Sequence, residues 1–291
     1  MLVSVFSPKG GSGTSVVSAL FAKALSEHAQ TLLIDACSGD LEAILGIDEV
    51  PSFGFVQWAN SKEPTALSLR NISVNVNSDF CFVAGNIDAD KAEVISDINR
   101  SIDSIDKDSE KESKLVDSLN EIETHCVVDL GLAQTDLQLK IAKSSDLVII
   151  VLRQCYLGLS KAMIHPLLNG IDCCVVVKES GRSISSSQIA DVLKLNVVVD
   201  LDARRDFART IDAGVLTYRT PIALYKPVQE YIGDAINDYY DDGHDIFEDS
   251  NFRNSVEFWE DAPRIFERDN RGRVFEKTRK SKLHSNLKER S

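Results

Sequence analysis

Six short apolar runs rich in β-branched residues recur along the chain with amphipathic stretches between them, and this alternation limits the fold more than any other feature. The runs lie at about 2–7, 31–35, 125–130, 146–152, 172–178 and 196–201, and the patterning between them predicts helices at about 15–28, 113–122, 134–143, 157–168, 186–194 and 203–212. Leu147-Val148-Ile149-Ile150-Val151-Leu152 has no polar alternation, so a strand built from it must be covered on both faces. Strands of that kind, alternating with helices, make a doubly wound α/β sheet that is mostly parallel. The segment 72–84 reads instead as two short strands around a polar turn.

The chain is 43% hydrophobic over 291 residues, enough for a sizeable core, so disorder throughout is excluded. Its 32 Lys+Arg against 45 Asp+Glu argue against a general nucleic-acid binder, which needs a surplus of cations to neutralise phosphates. The charge is uneven. Residues 234–262 hold ten acidic side chains against Arg253 alone, whereas 267–291 hold nine basic and four acidic ones. Residues 86–112 are rich in Asp, Ser and Lys and read as a solvated helix or a loop. Residues 1–240 are expected to form one domain, and 241–291 a charged, largely disordered tail.

The six cysteines show no C-x-x-C spacing, and there are only five histidines. Cys126 precedes Val127-Val128, and Cys173-Cys174 precede Val175-Val176-Val177, where a thiol acts as a small buried hydrophobe. A reducing, intracellular compartment is expected. The chain enters the run Leu2–Phe6 at once, so no secretory leader is expected, and no run approaches the roughly 18 apolar residues of a membrane span.

Ser7-Pro8-Lys9-Gly10-Gly11-Ser12-Gly13-Thr14-Ser15 joins the first strand to the first helix. Glycines let backbone N–H groups approach an anion with no Cβ in the way, and the helix adds its positive N-terminal end. A hydroxyl in the first helical turn, Thr14 or Ser15, can ligate Mg²⁺ between phosphates. Two other readings use the same letters. One is a tight glycine turn with no ligand. The other is the dinucleotide fingerprint G-x-G-x-x-G, which counted from Gly11 needs glycine where Val16 stands. Asp35 and Asp129 each end an apolar strand, and ligands of open α/β sheets gather at the carboxyl ends of strands.

The loop resembles the deviant Walker A motif of ParA/MinD-type ATPases, K-G-G-x-G-K-[S/T]. The resemblance implies that Lys9 reaches across a dimer to the partner's nucleotide, that Gly10, Gly11, Ser12, Gly13 and Thr14 line the phosphates, and that Ser15 binds Mg²⁺. Thr14 stands where the family has its P-loop lysine, so one cation is missing. Asp35-Ala36-Cys37 resembles switch I, usually D-x-D, which positions the attacking water. Asp35 matches the first carboxylate and Cys37 replaces the second. Asp40 is the candidate substitute, or else the N-cap of a helix at 41–45. Asp129-Leu130-Gly131 resembles the Walker B and switch II segment, in which Asp129 would hold Mg²⁺ through water; an Asp ending a strand also forms turns. Lys178-Glu179-Ser180-Gly181-Arg182 stands where family members often have an Asn that reads adenine.

Arg153 through Ala162 and Ile211 through Leu216 look like a divergent, mainly actinobacterial CpaE branch that accompanies Tad-type pilus or secretion genes, in which the Lys-to-Thr change is usual. The resemblance covers about 1–232. It implies a P-loop NTPase fold, ATP and Mg²⁺ as cofactors, a nucleotide-sandwiched homodimer, a cytoplasmic place with at most peripheral association at the inner face of the membrane, and a further protein partner such as a Tad component. The function implied is an ATPase switch that positions or regulates a pilus or secretion machine, a division site or a partition apparatus. The alternative is a catalytically degraded scaffold that works through partners without hydrolysing ATP. DNA binding is not expected, because Arg204, Arg205 and Arg209 make no continuous stripe. The basic stretch 273–290 has few apolar residues, so membrane association is expected to be weak or absent.

Overall fold

The computed structural model describes residues 1–37, 40–49, 51–85, 109–241, 266–268 and 274–276. The chain divides into two compact units, Met1–Phe247 and Glu248–Ser291. In the first, the apolar runs become β1 (Leu2–Phe6), β2 (Thr31–Asp35), β3 (Val74–Asn75), β4 (Phe80–Val83), β5 (His125–Asp129), β6 (Leu147–Arg153), β7 (Cys173–Lys178) and β8 (Val198–Asp202). They form one sheet in the order β3-β4-β2-β5-β1-β6-β7-β8. Every pairing is parallel except β3 with β4. The mostly parallel, doubly wound sheet read from the sequence is the observed one, and the polar turn at 77–79 joins the antiparallel pair.

Helices cover both faces. α1 (Thr14–Leu25), α2 (Leu41–Leu45), α9 (Arg205–Asp212) and α10 (Ile222–Asp241) lie over one face, where Leu20, Phe21, Val228 and Ile232 pack on Val3, Val5, Ile149 and Val151. α3 (Phe55–Ala59), α4 (Ala66–Asn71), α5 (Ser109–Asn120), α6 (Asp136–Ser144), α7 (Tyr156–Ala162) and α8 (Ser186–Leu193) lie over the other, against Leu2, Phe6, Ile150 and Leu152. Successive residues of one strand thus feed opposite cores, as the two-residue period of a strand dictates. Neighbouring strands β1 and β6 lead away in opposite directions, β1 to β2 and β6 to β7. That reversal opens a crevice at their carboxyl ends, the usual ligand position in such sheets.

Several elements differ from the sequence reading, and α3 and α4 had no counterpart in it. The helix expected over 157–168 ends at Ala162, because Pro166 lacks an N–H and its ring crowds the carbonyl four residues back. A single 3₁₀ turn follows at Leu168–Gly170. α10, twenty residues long, had no counterpart in the sequence reading. Leu224, Val228, Ile232 and Ile236 recur every four residues and are buried, and that stripe holds the helix together across Pro227.

Residues 86–108 lie outside the described residues, and the remainder of the segment expected as a solvated helix or loop begins α5. Most of the expected tail 241–291 also lies outside them. In the second unit, β9 (Phe266–Arg268) pairs antiparallel with β10 (Val274–Glu276). All six cysteines are free, with Cys126, Cys173 and Cys174 buried in strands. Among the described residues no helix is long and apolar enough to cross a membrane.

Candidate nucleotide site

The loop after β1 is tied down from within. Ser7 Oγ and Ser12 Oγ both donate to the Lys9 carbonyl, at 3.0 and 2.6 Å, and Ser7 N donates to the Gly131 carbonyl at 2.8 Å. The outer side is open: a Cβ built on Gly10 or Gly11 meets nothing within 4 Å. Gly13 is the N-cap of α1 with φ 96°, in the left-handed region that favours glycine, and no side chain caps the helix. The first N–H groups of α1 are therefore left without a side-chain acceptor at its positive end, an arrangement that suits an anion.

Asp35 and Asp129 are register partners on β2 and β5, 1% and 0% exposed. Each Oδ1 accepts a backbone N–H two residues on, from Cys37 and from Gly131, both at 3.0 Å. Burial, and next the charge of Asp35, pushes the Asp129 carboxyl up to about 7, while the Ser15 hydroxyl, the Gly131 N–H and the Cys37 thiol pull the other way. Asp129 Oδ2 is buried with no hydrogen-bond partner among the described residues. Cys37 Sγ donates to Asp35 Oδ1 at 3.4 Å. Burial, then the charges of Asp129 and Asp35, hold this thiol well above its ordinary range, so it is a neutral donor beside two carboxyls. Gly131 has no room for a side chain, since a Cβ there would lie 2.7 Å from the Cys37 Cβ.

This donor set fits Mg²⁺. Ser15 and the unpartnered oxygen of Asp129 are hard oxygen ligands, and Mg²⁺ is ordinarily held by one or two carboxylates together with substrate phosphates and water. Among the described residues no group of three or more His, Cys, Asp or Glu side chains is arranged to hold a metal alone.

The remaining predicted residues take different places. Lys9 is half-buried, and its Nζ donates to the Gly10 carbonyl at 3.4 Å. Thr14 opens α1 and brings no charge. Asp40 occupies the N-cap position of α2, exposed, and its side chain makes no capping bond. Arg204 pairs with Asp202 at 3.5 Å. The sequence reading assigned no role to a cluster at the ends of β6 and β7. Arg153 Nη1 lies 3.0 Å from Glu179 Oε1, and Arg182 Nε donates to Glu179 Oε2 at 2.7 Å. Its local signals were the arginine closing the uninterrupted apolar run of β6 and the segment Lys178–Arg182, noted only for lacking an adenine-reading Asn.

No family model matches the sequence, and no curated protein matches it. Solved structures do. A ParA family ATPase from Chlorobium tepidum superposes with a TM-score of 0.60 at 18% identity, covering 81% of this chain and 97% of that one. The septum site-determining protein MinD from Pyrococcus horikoshii, complexed with Mg-ADP, gives 0.62 at 16%, covering 79% and 95%. An ATP complex of a Cyanothece McdA variant gives 0.63 at 17%, covering 81% and 96%.

The chain has the fold of the ParA/MinD ATPases. Within that fold the glycine loop, Ser15, Asp35 and Asp129 meet at the carboxyl ends of β1, β2 and β5, and Arg153 and Glu179 stand across the crevice at the ends of β6 and β7.

Proposed function

We propose that this chain is an ATP-binding, dimerising switch of the ParA/MinD type that positions or regulates a cellular machine. One observation carries the reading: the fully buried Asp129 oxygen without a partner, beside the Ser15 hydroxyl at the mouth of an uncapped helix. A buried carboxylate oxygen left alone is costly, and a cation at that point compensates it. The ligands named for the structural neighbours, Mg-ADP in Pyrococcus MinD and ATP in McdA, support the same assignment.

In this reading Ser15, and Asp129 through water, hold Mg²⁺, while the backbone of Gly10 to Gly13 and the start of α1 hold the phosphates. Mg-ATP supplies the scissile phosphoanhydride bond and a divalent charge when bound. The Asp129 carboxyl, pushed up to about 7 by burial and then by the charge of Asp35, would be held ionised by a cation facing it. Asp35, at the end of β2 beside Asp129, would orient the attacking water. Lys9, at the open side of the loop, reaches a second copy of the chain. A further protein partner is the cargo or machine, such as a Tad-type pilus or secretion component, a division site or a partition apparatus.

A second reading is favoured by Cys37. A neutral thiol stands where a second carboxylate would help orient water, and it donates to Asp35. In that reading the chain is a scaffold that acts through partners and does not hydrolyse ATP. ATP turnover, calorimetry and sedimentation with Mg-ATP separate the two, with Lys9→Ala as control. Turnover and dimerisation that Lys9→Ala abolishes support the switch. Absence of both ATP binding and turnover overturns it in favour of the scaffold.

A further inference from the structure

The glycine loop lacks the lysine that ordinarily meets the phosphate tail, yet its surroundings are not short of positive charge. β1 and β6 are adjacent, with Phe6 opposite Ile150. Lys9 lies in the loop that leaves β1 after Phe6, and Arg153 is the last residue of the adjacent β6, so the loop and the arginine both lie at the carboxyl ends of neighbouring strands. β7 completes the wall. Arg153 is the register partner of Val177, and the Val177 Cγ2 lies 3.9 Å from where a Cβ on Gly13 would be. The end of β7 therefore touches the last residue of the loop.

At this wall a single carboxylate holds two guanidiniums. Glu179 pairs with Arg153 and Arg182, and its backbone N–H donates to Gln154 Oε1 at 3.2 Å, which fixes the turn. The Arg182 hydrogen bond holds the Glu179 carboxyl below its ordinary range against the effect of burial, and the charges of Arg153, Arg182 and Lys9 add to this. Lys9 thus lies within electrostatic reach of the same carboxylate. At this wall Arg153, Arg182 and Lys9 all act on the one carboxylate of Glu179. Arg153 Nε is buried and has no hydrogen-bond partner among the described residues, so this guanidinium retains a donor that Glu179 does not use.

We propose that Arg153, held with Arg182 on Glu179, gives the polyphosphate tail of the nucleotide the positive charge that Thr14 does not. Guanidinium suits the task because it stays charged and offers paired N–H donors to phosphate oxygens. Glu179 is a positioning residue that keeps the arginine in place when no phosphate is bound. The inference rests on the nucleotide-binding reading of the loop.

The test is calorimetric titration of the full chain with Mg-ATP and with inorganic tripolyphosphate, which has no base or ribose. Arg153→Met keeps the apolar stem and removes the charge. It is expected to weaken both ligands by about tenfold or more with an unchanged unfolding temperature. Arg153→Lys should recover part of the loss, and the salt dependence of wild-type binding should be steeper than that of Arg153→Met. If wild type binds both ligands and Arg153→Met binds them equally well, the proposal is overturned while the nucleotide reading stands. Loss of ATP binding alone, with tripolyphosphate retained, also overturns it, by assigning Arg153 to the nucleoside. If wild type binds neither ligand, both readings fail together. Should Arg153→Met not fold, Arg182→Ala carries the test. It leaves Glu179 to Arg153 alone and should weaken tripolyphosphate several-fold; unchanged binding overturns the proposal.

Discussion

Asp35 and Asp129 stand opposite each other on neighbouring parallel strands, both shielded from water, with the Cys37 thiol between their side chains. The Asp129 carboxyl is pushed up to about 7 by burial and then by the charge of Asp35. A carboxyl whose folded pKa lies above its unfolded value favours folding while protonated. That contribution is full below the unfolded value and is lost as pH rises through the folded one. Relative to wild type, Asp129→Asn should therefore gain stability in metal-free buffer between pH 4 and pH 8, by on the order of 3 kcal/mol. Mg²⁺ should stabilise wild type at pH 8 and leave the Asn variant unmoved. Urea unfolding with EDTA or Mg²⁺ at both pH values measures this, and a pH-independent difference between the proteins would refute it.

Thr14→Lys restores the side chain that the loop lacks. If Arg153 already supplies the charge, the gain in Mg-ATP affinity in wild type should be small, about threefold or less, while the same change in Arg153→Met should recover about tenfold. Lysine at the first turn of α1 opposes the helix dipole, so a loss of about 0.5 kcal/mol in stability is expected alongside. Equal gains in the two backgrounds, measured by calorimetry, would show that Thr14 and Arg153 act on different parts of the ligand.

Cys37→Asp brings a third carboxyl against Asp35 and Asp129. The Cys37 Sγ lies 3.4 Å from Asp35 Oδ1, so the new charge has no room to retreat. Like charges at such distance in a buried setting repel, and the metal-free protein should lose about 1–3 kcal/mol at pH 8. Mg-ATP should offset most of that loss, and turnover should rise if Cys37 is what limits water orientation. Thermal unfolding with and without Mg-ATP separates these effects; a variant as stable as wild type without metal would contradict the crowding described here.

What was legible in the sequence was local. The glycine loop, Asp35 and Asp129 could be placed because each sits at a strand end that its own apolar run announces. The strands came within two residues of their observed bounds for the same reason. The end of α7 was also readable, since Pro166 marks it, although the helix was expected to run to 168. α10 was not read at all, although Leu224, Val228, Ile232 and Ile236 keep the helical period. The Arg153–Glu179–Arg182 cluster was not readable, because it exists only once β6 and β7 lie side by side. The raised carboxyl of Asp129 likewise depends on the register that brings Asp35 opposite.

α10 supplies a stability test. Ile232 is fully buried over the sheet in the same core as Phe21 and Val5. Ile232→Ala should cost about 2–5 kcal/mol through lost burial and an unfilled cavity. Equilibrium unfolding measures it. A cost below 1 kcal/mol would mean that α10 adds little to the fold and that the stripe over the sheet is not what holds the helix across Pro227.

His125 opposes Asp129 in the same pH range. It lies at the start of β5, 4% exposed, with Nδ1 unpartnered and Nε2 3.5 Å from the Tyr240 hydroxyl. Burial, then the charges of the N-terminal amine and His28, lower its pKa to about 4. The unfolded chain takes up the proton near pH 6.5 and the folded chain does not, so stability is lost as pH falls from about 6.5 to about 4, on the order of 3 kcal/mol. Asp129 contributes the reverse slope over nearly the same interval, and metal-free wild type should therefore show a shallow profile. His125→Gln, which keeps a partner for Tyr240, should expose the Asp129 slope, with stability falling as pH rises. Asp129→Asn should expose the His125 slope, and the double variant should be flat. Denaturant unfolding of the four proteins from pH 4 to 8 in EDTA makes the comparison, and parallel profiles for the two single variants would show that neither group titrates as its burial requires.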